Sequence, residues 1–225
     1  MKNRITILLA AVAFLFAFTP SAQAQKPFKG VITYQITYPG VELDPMMQAQ
    51  LPTIMTFTTK DYMGKMEMTT NLYTQGEIIN AKERSMITFM EAMGKKFKII
   101  MDAEMIREKK EEAPKPVIEK TGDTKEIAGY KCKMATVSMT LETGQEIETD
   151  VYYTDEIYSP AMDFNNEFEG IEGFPFEYIM DMGQMKMKFS VMKVKKGNVK
   201  KSDFILSDEY QEVTEEELKS MFGGM

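Results

Sequence analysis

From Phe28 to Tyr38 the chain reads FKGVITYQITY, so Ile32, Tyr34, Ile36 and Tyr38 share one face of an extended segment and Val31, Thr33, Gln35 and Thr37 the other. Alternation carried by β-branched and aromatic residues predicts a half-buried strand. The same pattern predicts strands at 53–59, 65–70, 78–81, 85–90 and 96–101, with Asp61, Gly64, Gly76 and Gly94 as turn cues between them. Short strands separated by turn residues imply an up-and-down antiparallel meander. Strand patterning resumes at 117–120, 131–141, 146–153, 177–181, 185–194 and 203–206.

Three stretches break the alternation. Asp44 to Pro52 offers an N-cap, a proline suited to the first helical position and a terminating proline, which predicts a short helix or ordered loop. Asp102 to Pro116 is highly charged and ends in Ala113-Pro114-Lys115-Pro116, as befits a crossing connection with a helical turn between two halves of a sheet. Near the C-terminus Thr214 and Glu217 match a capping box, and Glu215 to Glu217 place acids at a helix start. The fold class that follows is mainly β: a large curved antiparallel sheet or half-barrel with a few short helices.

The N-terminus changes the picture of where this domain works. Lys2 and Arg4 precede an apolar run from Ile5 to Phe18, followed by Pro20 and Ala22-Gln23-Ala24. These features describe a secretory signal peptide over residues 1–24, cleaved after Ala24, with an uncleaved anchor as the alternative. The run is short for a membrane span. Cleavage leaves residues 25–225 as a single β-rich domain beginning at Gln25 and ample to bury a core. The only cysteine, Cys132, lies far from the cleavage site and cannot close an intramolecular disulfide, so it reads as a small buried hydrophobe. Loss of Lys2 and Arg4 moves the formal charge from -7 to -9. Dispersed acids and the absence of basic patches argue against nucleic acid and anionic membranes as partners.

The chain has no histidine, and with it go the commonest general base and a common metal ligand. No phosphate loop, nucleophile elbow or paired-cysteine motif occurs. A non-catalytic protein without a cofactor is therefore expected. Asp163 to Gly170 places oxygen ligands on alternate residues, but its glycine falls two positions late for a calcium loop, so it reads as a polar loop.

Methionine is the departure from ordinary composition, with 22 residues. Met66 and Met68, Met180 and Met182, and Met185 and Met187 are spaced to point to one face of a strand. They can fill a core, line an adaptable apolar surface, or bind copper(I) through soft thioethers.

Three stretches resemble a known family: Lys125-Glu126-Ile127-Ala128-Gly129-Tyr130-Lys131-Cys132-Lys133, Asp150 to Ile157, and Glu172-Gly173-Phe174-Pro175-Phe176-Glu177-Tyr178. Their spacing is similar to that of small exported bacterial proteins of uncharacterised function close to the GLPGLI family. Phenylalanines replace the leucine and second glycine of the naming motif. The resemblance implies a fold similar to the periplasmic lipoprotein-carrier (LolA-like) proteins, in which a curved sheet wraps an apolar cavity. It also implies the periplasm or cell envelope of a Gram-negative bacterium, and it transfers no catalytic residue. Read physically, Gly129, Tyr130, Tyr153, Gly173 and Pro175 are structural positions.

The expected function is a binding or carrier module for a lipid-like or other apolar molecule. Ile32, Tyr34 and Ile36 are candidate ligand contacts, with Met46 and Met47 on a covering segment. The alternatives are a structural protein whose filled core meets an envelope partner through its edges or tail, and a methionine-based copper(I) protein.

Overall fold

The computed structural model describes residues 25–140, 144–165, 168–181 and 185–222. The expected signal peptide at residues 1–24, Leu141, Met182, Asn166 and Glu167 of the acidic stretch, and the last three residues of the tail lie outside these.

The first meander comprises β1 (Gly30–Thr37), β2 (Ile54–Lys60), β3 (Met63–Thr69), β4 (Tyr73–Asn80), β5 (Ser85–Ala92) and β6 (Lys95–Met101), with α1 (Pro45–Gln50) between its first two strands. Helix α2 (Ala103–Glu112) then carries the chain to the opposite edge. There β7 (Val117–Ile127), β8 (Tyr130–Thr140), β9 (Glu146–Thr154), β10 (Phe174–Asp181) and β11 (Lys186–Lys196) return to pair with β1, with α3 (Pro160–Phe164) between β9 and β10. A 3-10 helix (Lys201–Phe204), the two-residue β12 (Gln211–Glu212) and α4 (Glu215–Phe222) follow. The sheet runs β12-β6-β5-β4-β3-β2-β1-β11-β10-β9-β8-β7 and does not close. Every pairing is antiparallel except that of β12 with β6.

The sheet is curled. Between β2 and β10 stand β1 and β11, three strand steps that would span about 14 Å in a flat sheet. Yet the Phe57 and Phe174 rings meet at 5.5 Å between centroids. The main core fills this concave side with Ile32, Tyr34 and Ile36 of β1, Met55 and Phe57 of β2, and the aromatic residues of β10. The alternation of β1 is realised: Ile32, Tyr34 and Ile36 are at most 2% exposed.

A second cluster covers the outer face. Val199, Phe204 and Tyr210 pack there on Ile78 and Phe89 as the chain crosses toward the β6 edge. The apolar run at 203–206, expected to be a strand, is instead the end of the 3-10 helix and an irregular segment, because its apolar residues cover the outer face of a sheet whose strands are already paired. Strand β7 extends well beyond the expected 117–120. It is an edge strand exposed along most of its length, so the charged residues from Glu119 to Glu126 carry no inside-outside alternation.

Helix caps follow the sequence. Asp44 accepts from the backbone N–H groups of Met46 and Met47 at 2.8 and 2.9 Å. The Thr214 hydroxyl accepts from the Glu217 N–H at 3.1 Å, and the Glu217 carboxylate from the Thr214 N–H at 2.8 Å. Asp61 and Gly94 occupy positive-φ turn positions, but Gly64 and Gly76 lie inside strands. At Gly76 the reason is close approach: a Cβ there would stand 2.1 Å from the Met66 carbonyl oxygen and 2.7 Å from the Phe89 ring. No helix among the described residues is long and apolar enough to cross a membrane.

Candidate functional site

Concave packing leaves an apolar cavity of about 310 Å³. Met55 of β2, Met66 and Met68 of β3 and Met180 of β10 form its floor, and Met162 of α3 stands over it. Aromatic lining comes from Phe168, Tyr178 and Phe189. Tyr178 and Phe189 stack at 4.9 Å, and Phe168 meets Tyr178 edge-on at 5.1 Å. Met66, Met68 and Met180 are only half-buried, which gives solvent a route to the cavity.

Register explains why these residues converge. On β2 and β3, Met55 pairs with Met68 and Phe57 with Met66, which puts both β3 methionines on the concave face. On β10 and β11, Tyr178 pairs with Phe189 and Met180 with Met187. Ser159 caps α3, and its hydroxyl lies 2.9 Å from that of Thr59, tying the cover to the sheet.

The polar lining is gathered on one side, with Gln75 and Glu77 of β4, Thr88 of β5 and Asn165 just beyond α3. Asn165 donates its amide N–H to Glu77 Oε2 at 2.8 Å. Burial pushes the Glu77 carboxyl above its ordinary range, against smaller opposing effects of Asn165 and of Lys109.

None of the five residues singled out from sequence lines this cavity. Ile32, Tyr34 and Ile36 are packed into the core beneath it, and Tyr34 donates its hydroxyl to the Pro175 carbonyl at 2.6 Å. Met46 and Met47 are 74% and 46% exposed on α1, which has no buried residue. The segment over the cavity is α3 with its following loop, including Phe168 from the acidic stretch that sequence presents as a polar loop. The pair Met66 and Met68 was legible as same-face methionines; the partnership of Glu77 with Asn165 carried no local signal. Among the described residues no cluster of Cys, Asp or Glu is arranged to hold a metal.

The three stretches that carry the family resemblance meet at one end of β7 to β10. Ala128 and Gly129 form a two-residue turn with φ of 50° and 82°. Tyr130 packs on Phe176 at 5.3 Å, Lys125 pairs with Glu177 at 2.6 Å, and Lys133 pairs with Asp155 at 2.6 Å. A wider cleft of about 900 Å³ lies beside them. Its charged rim is exposed and already paired in part, as between Lys120 and Glu172 at 3.3 Å, so it has the character of solvated surface. Cys132 is fully buried, and burial pushes its thiol up to about 11.

Together the fold and cavity define an open, curled β-sheet protein with an internal methionine-lined pocket. No protein-family model and no curated protein matches the chain. Among solved structures, the crystal structure of LprF from Mycobacterium bovis is similar over 76% of this chain and 88% of that one, at 12% identity and a TM-score of 0.29.

Proposed function

We propose that the protein is a non-catalytic binding or carrier module for a lipid-like or other apolar ligand, held in the cavity between the sheet and α3. The observation that carries this reading is the cavity lining, in which five methionines and three aromatic rings surround about 310 Å³. Flexible thioether side chains adapt to varied apolar shapes. The volume is about twice the ~150 Å³ that accommodates benzene and lies at the small end of ligand sites. It suits one alkyl chain or a small apolar molecule rather than a two-chained lipid. Absence of histidine supports a non-catalytic role. The signal-peptide pattern and the resemblance to GLPGLI-like proteins support export to the periplasm or envelope of a Gram-negative bacterium.

An environment-sensitive apolar dye is expected to bind the folded protein saturably and to be displaced by n-dodecanol. Met66→Phe with Met180→Phe, which fills the cavity, is expected to abolish binding while the protein stays folded. Absence of saturable binding, or undiminished binding in the filled variant, would refute the proposal.

The structural alternative is favoured by a different observation, the dense filling of the rest of the concave face by residues such as Ile32, Tyr34 and Phe57. Copper(I) binding draws support from the convergence of Met55, Met66 and Met68. A stoichiometric copper(I) site lost on Met66→Leu with Met68→Leu would promote that reading.

A further inference from the structure

The cavity is amphipathic, and its polar side carries one sign of charge. Among the described residues Glu77 is the only charged side chain in its lining. Asn165 occupies Oε2, and among the described residues no side chain donates to Oε1. No fully buried polar side-chain atom in the described structure lacks a partner, so Oε1 keeps some accessible surface.

We propose that this site selects an amphipathic ligand with a cationic head, such as a protonated alkylamine, over one that ends in a carboxylate. The inference rests on the apolar-cavity reading above and names the ligand class within it. The apolar tail lies along Met55, Tyr178 and Phe189, and the head donates to Glu77 Oε1. A half-buried carboxylate is less fully solvated than one in open water, and a ligand cation gives Oε1 a charge-assisted partner. A ligand carboxylate would instead set a second negative charge beside Glu77.

The neighbouring protein cations do not fill this role. Lys109 is close enough to act on Glu77 but is ion-paired with Glu215. Lys110 donates to the Phe164 carbonyl, and Arg84 lies over the Phe164 ring. None of the three lines the cavity. Burial outweighs the opposing effects of Asn165 and Lys109, since the Glu77 carboxyl remains raised.

The test uses the chain from Gln25 onward, loaded with an apolar fluorescent dye at pH 8 and fixed ionic strength. The dye is displaced by dodecylamine, n-dodecanol or dodecanoate, each kept below its solubility or micelle limit. Dodecylamine is expected to act at about ten-fold lower concentration than dodecanol, the gain of one charge-assisted hydrogen bond, and dodecanoate at higher concentration than either. Glu77→Gln should abolish the amine preference, read as the ratio of dodecylamine to dodecanol potency in that variant. Glu67→Gln removes the same charge from the outer face, where Glu67 pairs with Lys65 at 2.5 Å, and should leave the preference intact. Equal displacement by amine and carboxylate, or an amine preference that survives Glu77→Gln, would overturn this proposal alone. Failure of dodecanol to displace the dye would overturn the apolar-cavity reading and this proposal with it.

Discussion

Tyr34 and Tyr38 sit on the same strand pattern and make the same hydrogen bond in different surroundings. Each donates its hydroxyl to a proline carbonyl at 2.6 Å, Tyr34 to Pro175 and Tyr38 to Pro52. Tyr34 has no exposed surface, whereas Tyr38 is half-buried. Tyr34→Phe retains the ring, including its edge contact with Tyr178 at 6.3 Å, but removes the donor from a buried hydrogen bond to the Pro175 carbonyl. Removing one partner of a buried hydrogen bond costs about 1–3 kcal/mol. In a domain of this size each kcal/mol is worth about 2–4 °C in Tm, so a fall of roughly 2–12 °C is expected. Tyr38→Phe breaks a bond that is only part-buried, and its loss should stay near or below about 1 kcal/mol. Urea unfolding followed by tyrosine fluorescence and far-UV circular dichroism measures both variants. Equal losses, or a Tyr34→Phe change below about 0.5 kcal/mol, would show that this bond does not tie β1 to β10 as argued.

Gly76→Ala should destabilise by about 3 kcal/mol, at the upper end for overpacking, because the new Cβ meets the Met66 backbone carbonyl as well as the Phe89 ring. An exchange of glycine for alanine inside a strand ordinarily stabilises, so an unchanged or raised urea midpoint would contradict the close approach. Cys132 should react with iodoacetamide at pH 8 at least about a hundred-fold more slowly in native protein than in denaturant, since thiolate is scarce when the thiol is pushed up to about 11 and the sulfur is buried. Comparable native and unfolded rates would show that the β7–β8 hairpin opens freely.

Local patterns carried much of this fold. The alternation of β1 specifies which side chains enter the core, because successive strand residues point to opposite faces whatever the neighbouring strand is. The caps at Asp44 and Thr214 depend only on residues within one helical turn, and the sequence states them directly. Where residues face both solvent and an open edge, as along β7, no alternation is written and the strand was legible only in its first few residues. Gly64 and Gly76 read as turns because a glycine's local preference does not reveal that an aromatic ring from another strand crosses it.

The candidate site belongs to the tertiary structure. Ile32, Tyr34 and Ile36 were correctly placed on the inner face, but whether an inner-face residue lines a cavity or fills the core depends on how far the sheet curls and what lies over it. Curling brings Phe57 against Phe174, and the chain between β9 and β10 sets Asn165 beside Glu77, 88 positions away. Sequence alone determined an alternating, methionine-rich sheet with one apolar face. Only the register across twelve strands and the seating of α3 decided which methionines surround open space, because that depends on distances between segments that share no local pattern.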